Sequence, residues 1–535
     1  MDLSSTKGIT LGRLFAVLAS ALTLVVISPP MNLHFLHWFV FLPFFWALRE
    51  GDNKGNVILG YLGGFVAVHS LFFWMTESVV RFSNIPPALA VQLVVLFAFG
   101  FGVPYAIVFG AVHPLRRRLG VAWIFLIPAL QVAVEFLGPA LFPYYHGVSQ
   151  YKTAWTWQLV SVTGVTGVSY LVFLTNCALA EVLYRRQEGR PLPWPALAAT
   201  LALFLANIGF GAWRTAKVDA EVATWPRLKV SQLQQGITME ERMRSTPRAA
   251  MLSWYEMSNR LVGEELDLVV WPEGATPYDP RAMRVGQLMS NLAINLKAPV
   301  VFGGGFAEKK QDPVTGRKYV EQRNSIYLVD DKGELTQRYD KMVPLPFGEY
   351  LPFADTFPIL KEWIKGPGDF EAGTVPVFFE IEGPEGQMSF TTPICYEAIL
   401  SPFVRTNMAD TQLFVNVTND GWFGDTAAPH QHAMLSAVRS VELGVPMIRM
   451  AYTGVSMHVS PTGHFEYETE PFTEVVRVVE TPVGRIDTVY SRVGDLFSWL
   501  CVLAAAAGLL ETWRRARKAG EETPDPAVTP AATSS

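Results

Sequence analysis

The chemistry of this chain begins with its three cysteines, because only one of them lies outside an apolar segment. Cys177 and Cys501 fall within long apolar stretches, where they are expected to pack. Cys395, in SFTTPICYEAIL, follows a predicted strand and begins a predicted helix together with Tyr396 and Glu397. Backbone amides at a helix start favour a thiolate and stabilise an oxyanion. This pattern predicts a thiol nucleophile at Cys395.

Two charged residues near other strand ends supply the groups that acyl chemistry on a thiol requires. Glu273 follows a predicted strand in LVVWPEGATP, and Lys341 lies in the loop RYDKMVPLPFGEYLPF, eight residues before Glu349. A carboxylate can take the thiol proton as general base, and an ammonium group can stabilise the oxyanion formed at a carbonyl. Taken singly, Glu273 fits an ordinary turn carboxylate and Lys341 a surface lysine. Taken with Cys395, they predict attack of the thiol on a carbonyl carbon.

A cysteine–histidine pair is the usual alternative for thiol chemistry, and the segment PHQH offers two histidines. His430 and His432 precede a predicted helix, but their i, i+2 spacing is poor for a shared helical face. No cysteine or carboxylate at metal-ligand spacing accompanies them. We therefore expect these histidines to cap or to pack, and we expect neither a metal nor another cofactor.

Residues 214–495 must position these side chains, and their pattern is typical of an α/β domain. The predicted strands lie at 227–234, 266–271, 299–303, 324–330, 386–394, 411–418 and 446–452. Amphipathic helices are predicted near 281–297 and 430–444. Alternation of strands and helices over this length predicts sheets covered by helices.

The rest of the chain is apolar enough to lie in a membrane. Eight stretches have the length and apolarity of membrane spans, near 11–28, 33–48, 56–76, 88–113, 120–138, 159–184, 194–213 and 496–513. The predicted domains are therefore a membrane domain at 1–213, an outer domain at 214–495, an eighth span at 496–513 and a tail at 514–535. The tail is rich in Pro, Ala, Thr and Ser, which predicts disorder.

The orientation of the spans follows from the basic residues in the short loops. With the N-terminus in the cytoplasm, the inner flanks carry fourteen Lys and Arg residues, and the short outer loops carry only Arg81 and Lys152. The inner residues are Lys7, Arg13, Arg49, Lys54, Arg116, Arg117, Arg118, Arg185, Arg186, Arg190, Arg514, Arg515, Arg517 and Lys518. Both termini are then cytoplasmic, and the outer domain lies on the opposite side, which in a bacterium is the periplasm.

The overall composition agrees with a membrane protein and excludes other classes. Of the 535 residues, 50% are hydrophobic and only 17% are charged, against about 25% charged in an ordinary soluble domain. The net charge of −5 gives no indication of nucleic-acid binding. Three cysteines are too few for a disulfide-rich scaffold.

The motifs of the outer domain resemble those of the nitrilase, or carbon–nitrogen hydrolase, superfamily. WPE, a lysine in YDK and a cysteine after a strand match its Glu-Lys-Cys triad. Within that superfamily, YDKMVPLPFGEYLPF, PICYEAI, NVTNDGWFGDTAAPHQH and RSVELGVPMIR resemble the bacterial apolipoprotein N-acyltransferase family. The seven spans, outer domain and last span are similar too, so the resemblance covers the whole chain except its tail. It implies a four-layer α-β-β-α sandwich for the outer domain.

The resemblance also implies an activity, which is acyl transfer in two steps at the bacterial inner membrane. A membrane phospholipid would donate an acyl chain to Cys395 as a thioester. The N-terminal amine of diacylglyceryl-cysteine in an apolipoprotein would then receive that chain, which is the last step of lipoprotein maturation. Both substrates have acyl chains buried in the outer leaflet, and extracting such chains costs about 0.8 kcal/mol per CH₂. Spans packed below the outer domain would avoid that cost.

Residue by residue, the resemblance implies that Glu273 is the general base, Lys341 the oxyanion-stabilising lysine and Cys395 the nucleophile. The supporting positions and the aromatic loop over the pocket match Glu349, Tyr396, Glu397, Trp422 and Phe423. This chain departs from the family at one loop. The family usually carries a Trp soon after the first strand of the domain, and the corresponding segment QGITMEERMRSTP has none. How this loop contacts substrate is left open.

Two other functional interpretations fit parts of the sequence pattern. A membrane-anchored amidase or nitrilase would use the same three residues to hydrolyse a small amide, although eight spans exceed what an anchor needs. A transporter or scaffold with an inactive outer domain is the second, and the intact Glu273, Lys341 and Cys395 set argues against it.

Overall fold

The computed structural model describes residues 9–49, 51–83, 85–139, 141–276, 278–311, 316, 318–354, 356–357, 359 and 368–521. The predicted disordered tail lies outside these residues from position 522 onward. The described chain forms a helical N-terminal part, then an α/β part, then one long helix.

Apolar helices make up the N-terminal part. They are Leu11–Ile27, Leu42–Leu48, Asn53–Leu71, Met75–Ser83, Pro87–Phe101, Val103–Leu119, Trp123–Leu137, Ala154–Trp157, Val160–Thr163, Val165–Gln187 and Trp194–Val222, with 3₁₀ turns at His34–Trp38, Gly120–Ala122 and His146–Gln150. The helix starts follow local rules: Thr10 and Asp52 accept backbone N–H bonds as N-caps. Buried aromatic rings hold the helices together, and the rings of Phe44 and Phe109 stack at 3.9 Å.

Four helices in the described part of the chain are long and apolar enough to cross a membrane. They are Pro87–Leu137, Val165–Gln187, Trp194–Val222 and Leu496–Ala519. The pair Asn53–Leu71 and Met75–Ser83, bent by 58°, adds a fifth when it is counted as one broken span. Leu11–Ile27 and His34–Leu48 are apolar but shorter. The prediction of several long apolar helices is confirmed, whereas the predicted count of eight spans is not. One reason is that the 51-residue run Pro87–Leu137 contains two of the predicted spans.

Twelve strands are described in the α/β part. They are β1 Arg227–Gln234, β2 Val269–Val270, β3 Val300–Gln311, β4 Lys318–Val329, β5 Leu335–Asp340, β6 Phe379–Gly383, β7 Gly386–Phe390, β8 Phe414–Thr418, β9 Met447–Ala451, β10 Met457–Val459, β11 Phe465–Glu466 and β12 Val475–Pro482. Their sheets have the orders β2-β3-β4-β5 and β11-β10-β9-β8, and β1-β12 and β6-β7 form two further pairs. The pairs β2-β3 and β8-β9 are parallel, and the other strand pairs are antiparallel.

Helices and 3₁₀ turns lie between these strands or follow the last one. They are Met239–Arg244, Pro247–Asn259, Met283–Leu296, Cys395–Ile399, Ser401–Asn407, Asp420–Phe423, Ala428–Leu443, Val489–Val493 and Leu496–Glu521. The predicted domain boundaries at 213 and 513 both fall inside helices, Trp194–Val222 and Leu496–Glu521. In both cases the helix continues into polar sequence after its apolar stretch ends.

Side-chain alternation along the strands builds a layered sandwich. Val269 and Val300 face a cluster that contains Trp254, on the helix Pro247–Asn259. Their neighbours Val270 and Val301 face the opposite way, into a cluster with Val415 and Ile448 of the second large sheet. The helix Ala428–Leu443 adds Ala433 and Ala437 to the same cluster. The two large sheets therefore pack face to face, and helices lie against them.

Candidate active site

The structure brings the three predicted catalytic side chains to one cavity. Glu273 follows β2, Lys341 comes directly after β5, and Cys395 follows β7. All three line a cavity of about 490 Å³. The Nζ atom of Lys341 lies 3.2 Å from Oε1 of Glu273. Residues distant in sequence meet because the strand ends that carry them converge.

Lys341 is buried between two carboxylates. Its Nζ atom is 2.6 Å from Oε2 of Glu349, in addition to its contact with Glu273. Burial on its own would lower the pKa of this lysine, but the charges of Glu273 and Glu349 outweigh burial and raise the pKa well above its usual value. Lys341 is therefore a fixed ammonium group, as an oxyanion-stabilising role requires.

Glu273 is held by donors on both of its oxygens. Asn324 Nδ2 donates to Oε1 at 2.7 Å, and the backbone N–H of Asn419 donates to Oε2 at 2.9 Å. Asn324 also donates to Oε1 of Glu349 at 2.7 Å, so one amide bridges the two carboxylates. The side chain of Glu273 is thereby fixed in the cavity as a candidate proton acceptor.

Cys395 has a backbone conformation that L-residues rarely adopt. Its φ is +49°, in the left-handed region, at the first residue of the 3₁₀ turn Cys395–Ile399. The predicted helix at this point is wrong: a short 3₁₀ turn forms instead, and the helix Ser401–Asn407 begins only afterwards, with Pro402 in its first turn. Strained turns of this kind occur where a nucleophile is exposed to its substrate.

The thiol of Cys395 is expected to rest in its protonated form. Burial raises its pKa above the usual value, and the negative charge of Glu273 raises it further. Lys341 and a hydrogen bond with Thr418 act in the opposite direction but do not compensate. A base therefore has to remove the thiol proton before attack, which is the role predicted for Glu273.

Glu397 joins the nucleophile turn to the lysine loop. Its Oε1 accepts hydrogen bonds from Met342 N at 2.6 Å, Val343 N at 3.0 Å and the Tyr339 hydroxyl at 2.8 Å. Its Oε2 accepts from Ile394 N at 2.8 Å. Burial raises the pKa of this carboxyl group to about 7, although nearby Lys341 and these donors lower it. One buried side chain therefore sets the distance between the loops that carry Lys341 and Cys395.

Tyr396, Trp422 and Phe423, the remaining predicted site residues, form an aromatic wall that packs against the helical N-terminal part. Tyr396 packs edge-on against Phe142, with ring centroids 6.1 Å apart. Trp422 and Phe423 both line the cavity. Trp422 stacks on Phe82 with centroids 4.8 Å apart, and Phe423 contacts Trp74 at 5.4 Å. Their partners Phe142, Phe82 and Trp74 belong to the N-terminal part of the chain, so this side of the cavity faces the helical N-terminal part.

Sequence reasoning missed a buried polar chain behind the nucleophile. His432 Nε2 lies 3.3 Å from the carbonyl oxygen of Cys395, and its Nδ1 lies 2.8 Å from Oδ1 of Asp420. Arg449 Nη2 donates to Oδ2 of Asp420 at 2.7 Å. Burial would raise the pKa of Asp420, but Arg449 and His432 outweigh it and lower the pKa to about 2. The sequence predicts that His432 caps or packs. The structure shows that it forms hydrogen bonds next to Cys395.

Asn324 was also missed, because it lies inside β4 and nothing in its local pattern separates it from a strand residue. The carboxylates it bridges are far away in sequence. Among the described residues, no group of three or more His, Cys, Asp and Glu side chains is arranged to hold a metal ion.

Known proteins resemble this chain along most of its length. Residues 20–178 match the apolipoprotein N-acyltransferase N-terminal domain, and residues 229–490 match the carbon–nitrogen hydrolase family. The apolipoprotein N-acyltransferase of Geobacter metallireducens is 30% identical over 512 residues, covering 94% of this chain and 95% of that protein. The enzyme of the same name from Bradyrhizobium diazoefficiens is 28% identical over 538 residues, with the same coverage.

Among solved structures, an amidase from Nesterenkonia sp. aligns with a TM-score of 0.36 and 17% identity, over 49% of this chain and 91% of that one. The sequence relatives carry the assignment, because one of them reaches 30% identity along nearly the whole of both chains. This chain belongs to the apolipoprotein N-acyltransferase family, and its outer domain is of the carbon–nitrogen hydrolase type.

Proposed function

We propose that this protein transfers an acyl chain from a membrane phospholipid, through a thioester on Cys395, to the N-terminal amine of diacylglyceryl-cysteine in apolipoproteins. The observation that carries the proposal is the fixed Glu273–Lys341 pair beside a buried, strained cysteine. The family to which the chain belongs supplies the substrate classes.

In the first step, Glu273 takes the thiol proton while Sγ of Cys395 attacks the ester carbonyl carbon of the phospholipid. Negative charge develops on the carbonyl oxygen and is stabilised by the ammonium group of Lys341. The carbon–oxygen bond then breaks, and Glu273 returns the proton to the departing glycerol oxygen. A lysophospholipid leaves, and the acyl chain remains on sulfur.

In the second step, the neutral α-amine of the acceptor attacks the thioester carbonyl carbon. Glu273 accepts a proton from the attacking nitrogen, and Lys341 again stabilises the oxyanion. The carbon–sulfur bond breaks, an amide forms, and the proton passes to the departing sulfur. Cys395 is restored as a thiol for the next cycle.

The setting that we propose is the bacterial inner membrane, with eight spans and the outer domain in the periplasm. The excess of fourteen basic residues on the inner flanks over two in the outer loops supports this orientation. Large apolar side chains such as Leu203, Leu205 and Leu503 point outward from the helices, as lipid contact requires. Acyl chains would enter the cavity directly from the bilayer, on the side that carries the aromatic wall.

Acyl transfer and amide hydrolysis are separated by the fate of the acyl group. The purified protein is incubated with phospholipid labelled in its acyl chain and with a diacylglyceryl lipopeptide. We expect label in the amide of the lipopeptide, and none when the lipopeptide amine is blocked by acetylation. Release of label only as free fatty acid, with the lipopeptide unchanged, would favour the hydrolase alternative.

A further inference from the structure

Two arginines that the two-step mechanism does not use line the cavity of Cys395, and one of them, Arg242, has no acidic partner among the described residues. This residue belongs to the short helix Met239–Arg244 and lines the same cavity as Glu273 and Cys395. The helix lies in the segment QGITMEERMRSTP, where the chain departs from the family pattern.

Arg242 is fixed in place by neutral groups. Its Nη2 donates to the carbonyl oxygen of Gly274 at 2.6 Å, next to the base Glu273. Its Cζ lies 4.5 Å from the centroid of the Tyr452 ring, in cation–π contact. The helix itself is held by a capping box between Thr238 and Glu241. The side chain therefore has a defined direction before any ligand binds.

No carboxylate compensates Arg242 among the residues that the structure describes. The nearby acidic side chains have other partners: Glu240 pairs with Arg81, and Glu241 bonds to Thr238. By contrast, Arg323, the other arginine of the cavity, pairs with both Glu321 and Asp340. Arg242 thus has no acidic partner there and keeps spare N–H donors inside the cavity, which is the arrangement that binds an oxyanion bidentately.

We propose that Arg242 binds the phosphate of the acyl donor during thioester formation. The inference rests on the proposed function, because a phospholipid carries a phosphodiester beside the ester that Cys395 attacks. The diacylglyceryl-cysteine acceptor carries no phosphate. Arg242 therefore selects the donor in the first step and has no anion to bind in the second.

The test separates the two half-reactions. Arg242→Gln, Arg242→Lys and the wild type are each mixed with phosphatidylglycerol or with a diacylglycerol of the same acyl chains, and thioester on Cys395 is followed by intact mass. Arg242→Gln should lower kcat/KM for phosphatidylglycerol at least roughly tenfold, as expected for loss of a charge-assisted hydrogen bond. Diacylglycerol should react at the wild-type rate, and Arg242→Lys should restore part of the loss.

A second arm starts from enzyme already acylated on Cys395 and adds the lipopeptide. Transfer should proceed at the wild-type rate in Arg242→Gln. Arg244→Gln, an exposed neighbour on the same helix, is the matched control and should leave both half-reactions unchanged. Millimolar inorganic phosphate should compete with phosphatidylglycerol in the wild type only.

Several results would overturn the inference. Equal losses on both donors and in both half-reactions would make Arg242 a support for Glu273 through Gly274, and so would lost thermal stability in Arg242→Gln. Competition by inorganic phosphate without any change in donor preference would indicate a site for soluble anions. An unchanged rate in Arg242→Gln would refute the proposed role of Arg242 but would leave the proposed function intact. A wild type that forms no thioester from phospholipid would refute the proposed function itself.

Discussion

At the scale of single residues, the cavity is dominated by a lysine placed between two carboxylates. Lys341 contacts both Glu273 and Glu349, and the side-chain amide of Asn324 bridges the two carboxylates. Glu349 helps to keep Lys341 charged, and it lies closer to Nζ of Lys341, at 2.6 Å, than Glu273 does, at 3.2 Å. The sequence predicts this arrangement only in part. The spacing of Lys341 and Glu349 is visible in it, but the bridge that Asn324 forms between Glu273 and Glu349 is not.

Glu349→Gln should therefore cost more activity than stability. The amide keeps the size of the side chain but removes its charge, so Lys341 moves closer to Glu273 and hinders its role as base. Losses for such supporting groups are commonly about 10- to 100-fold, by analogy with metal sites. Single-turnover acylation and thermal unfolding are measured on the same preparation. A normal acylation rate in Glu349→Gln would show that Glu349 does not support the reaction.

Glu397 should make stability depend on pH in a defined direction. Its pKa is about 7 in the folded protein and its ordinary value is 4.5. Between these values the folded chain retains a proton that the unfolded chain has released, so the free energy of unfolding contributed by this group rises as pH falls from about 7 towards 4.5. The Tm of the wild type minus that of Glu397→Gln, measured from pH 8 to 5, should grow towards acid. A difference independent of pH would contradict this assignment.

At the scale of elements, the site depends on strand ends meeting, and this much could be predicted from sequence. Each of the seven predicted strands overlaps an observed one. The strands β5, β6, β10, β11 and β12 were not predicted. β5, with the sequence LTQRYD, is half exposed and mostly polar, so hydrophobic alternation could not reveal it. The approach of the Glu273 loop to β3 was equally invisible, since it depends on backbone packing.

Gly303 in β3 makes that approach possible. A Cβ atom at this position would lie 2.5 Å from the backbone nitrogen of Gly274 and 2.8 Å from Cα of Glu273. Gly303→Ala should displace the loop, cost about 1–3 kcal/mol of stability and lower the acylation rate. Gly209→Ala, in the helix Trp194–Val222 with open space around it, is the control and should retain activity. Normal acylation by Gly303→Ala would show that the loop position is not critical.

At the scale of the whole molecule, the proposed function requires the outer domain and the tail on opposite sides of the membrane. The topology was inferred from loop charges, and helix length alone does not establish it. Reporters that are active only in the periplasm should give signal when fused within 214–495 and none when fused after Lys518. Absence of signal from fusions within 214–495 would place the outer domain in the cytoplasm, without access to periplasmic lipoproteins.

Thioester formation on Cys395 is tested most directly by the intact mass of the protein after incubation with phospholipid alone. We expect a gain of one acyl group, removable by neutral hydroxylamine because a thioester reacts with it. Cys395→Ala should show no gain, and Glu273→Ala and Lys341→Ala should show almost none, since base and oxyanion stabilisation are lost. An adduct of normal amount on Cys395→Ala, or acylation of lipopeptide by that variant, would show that Cys395 is not the nucleophile.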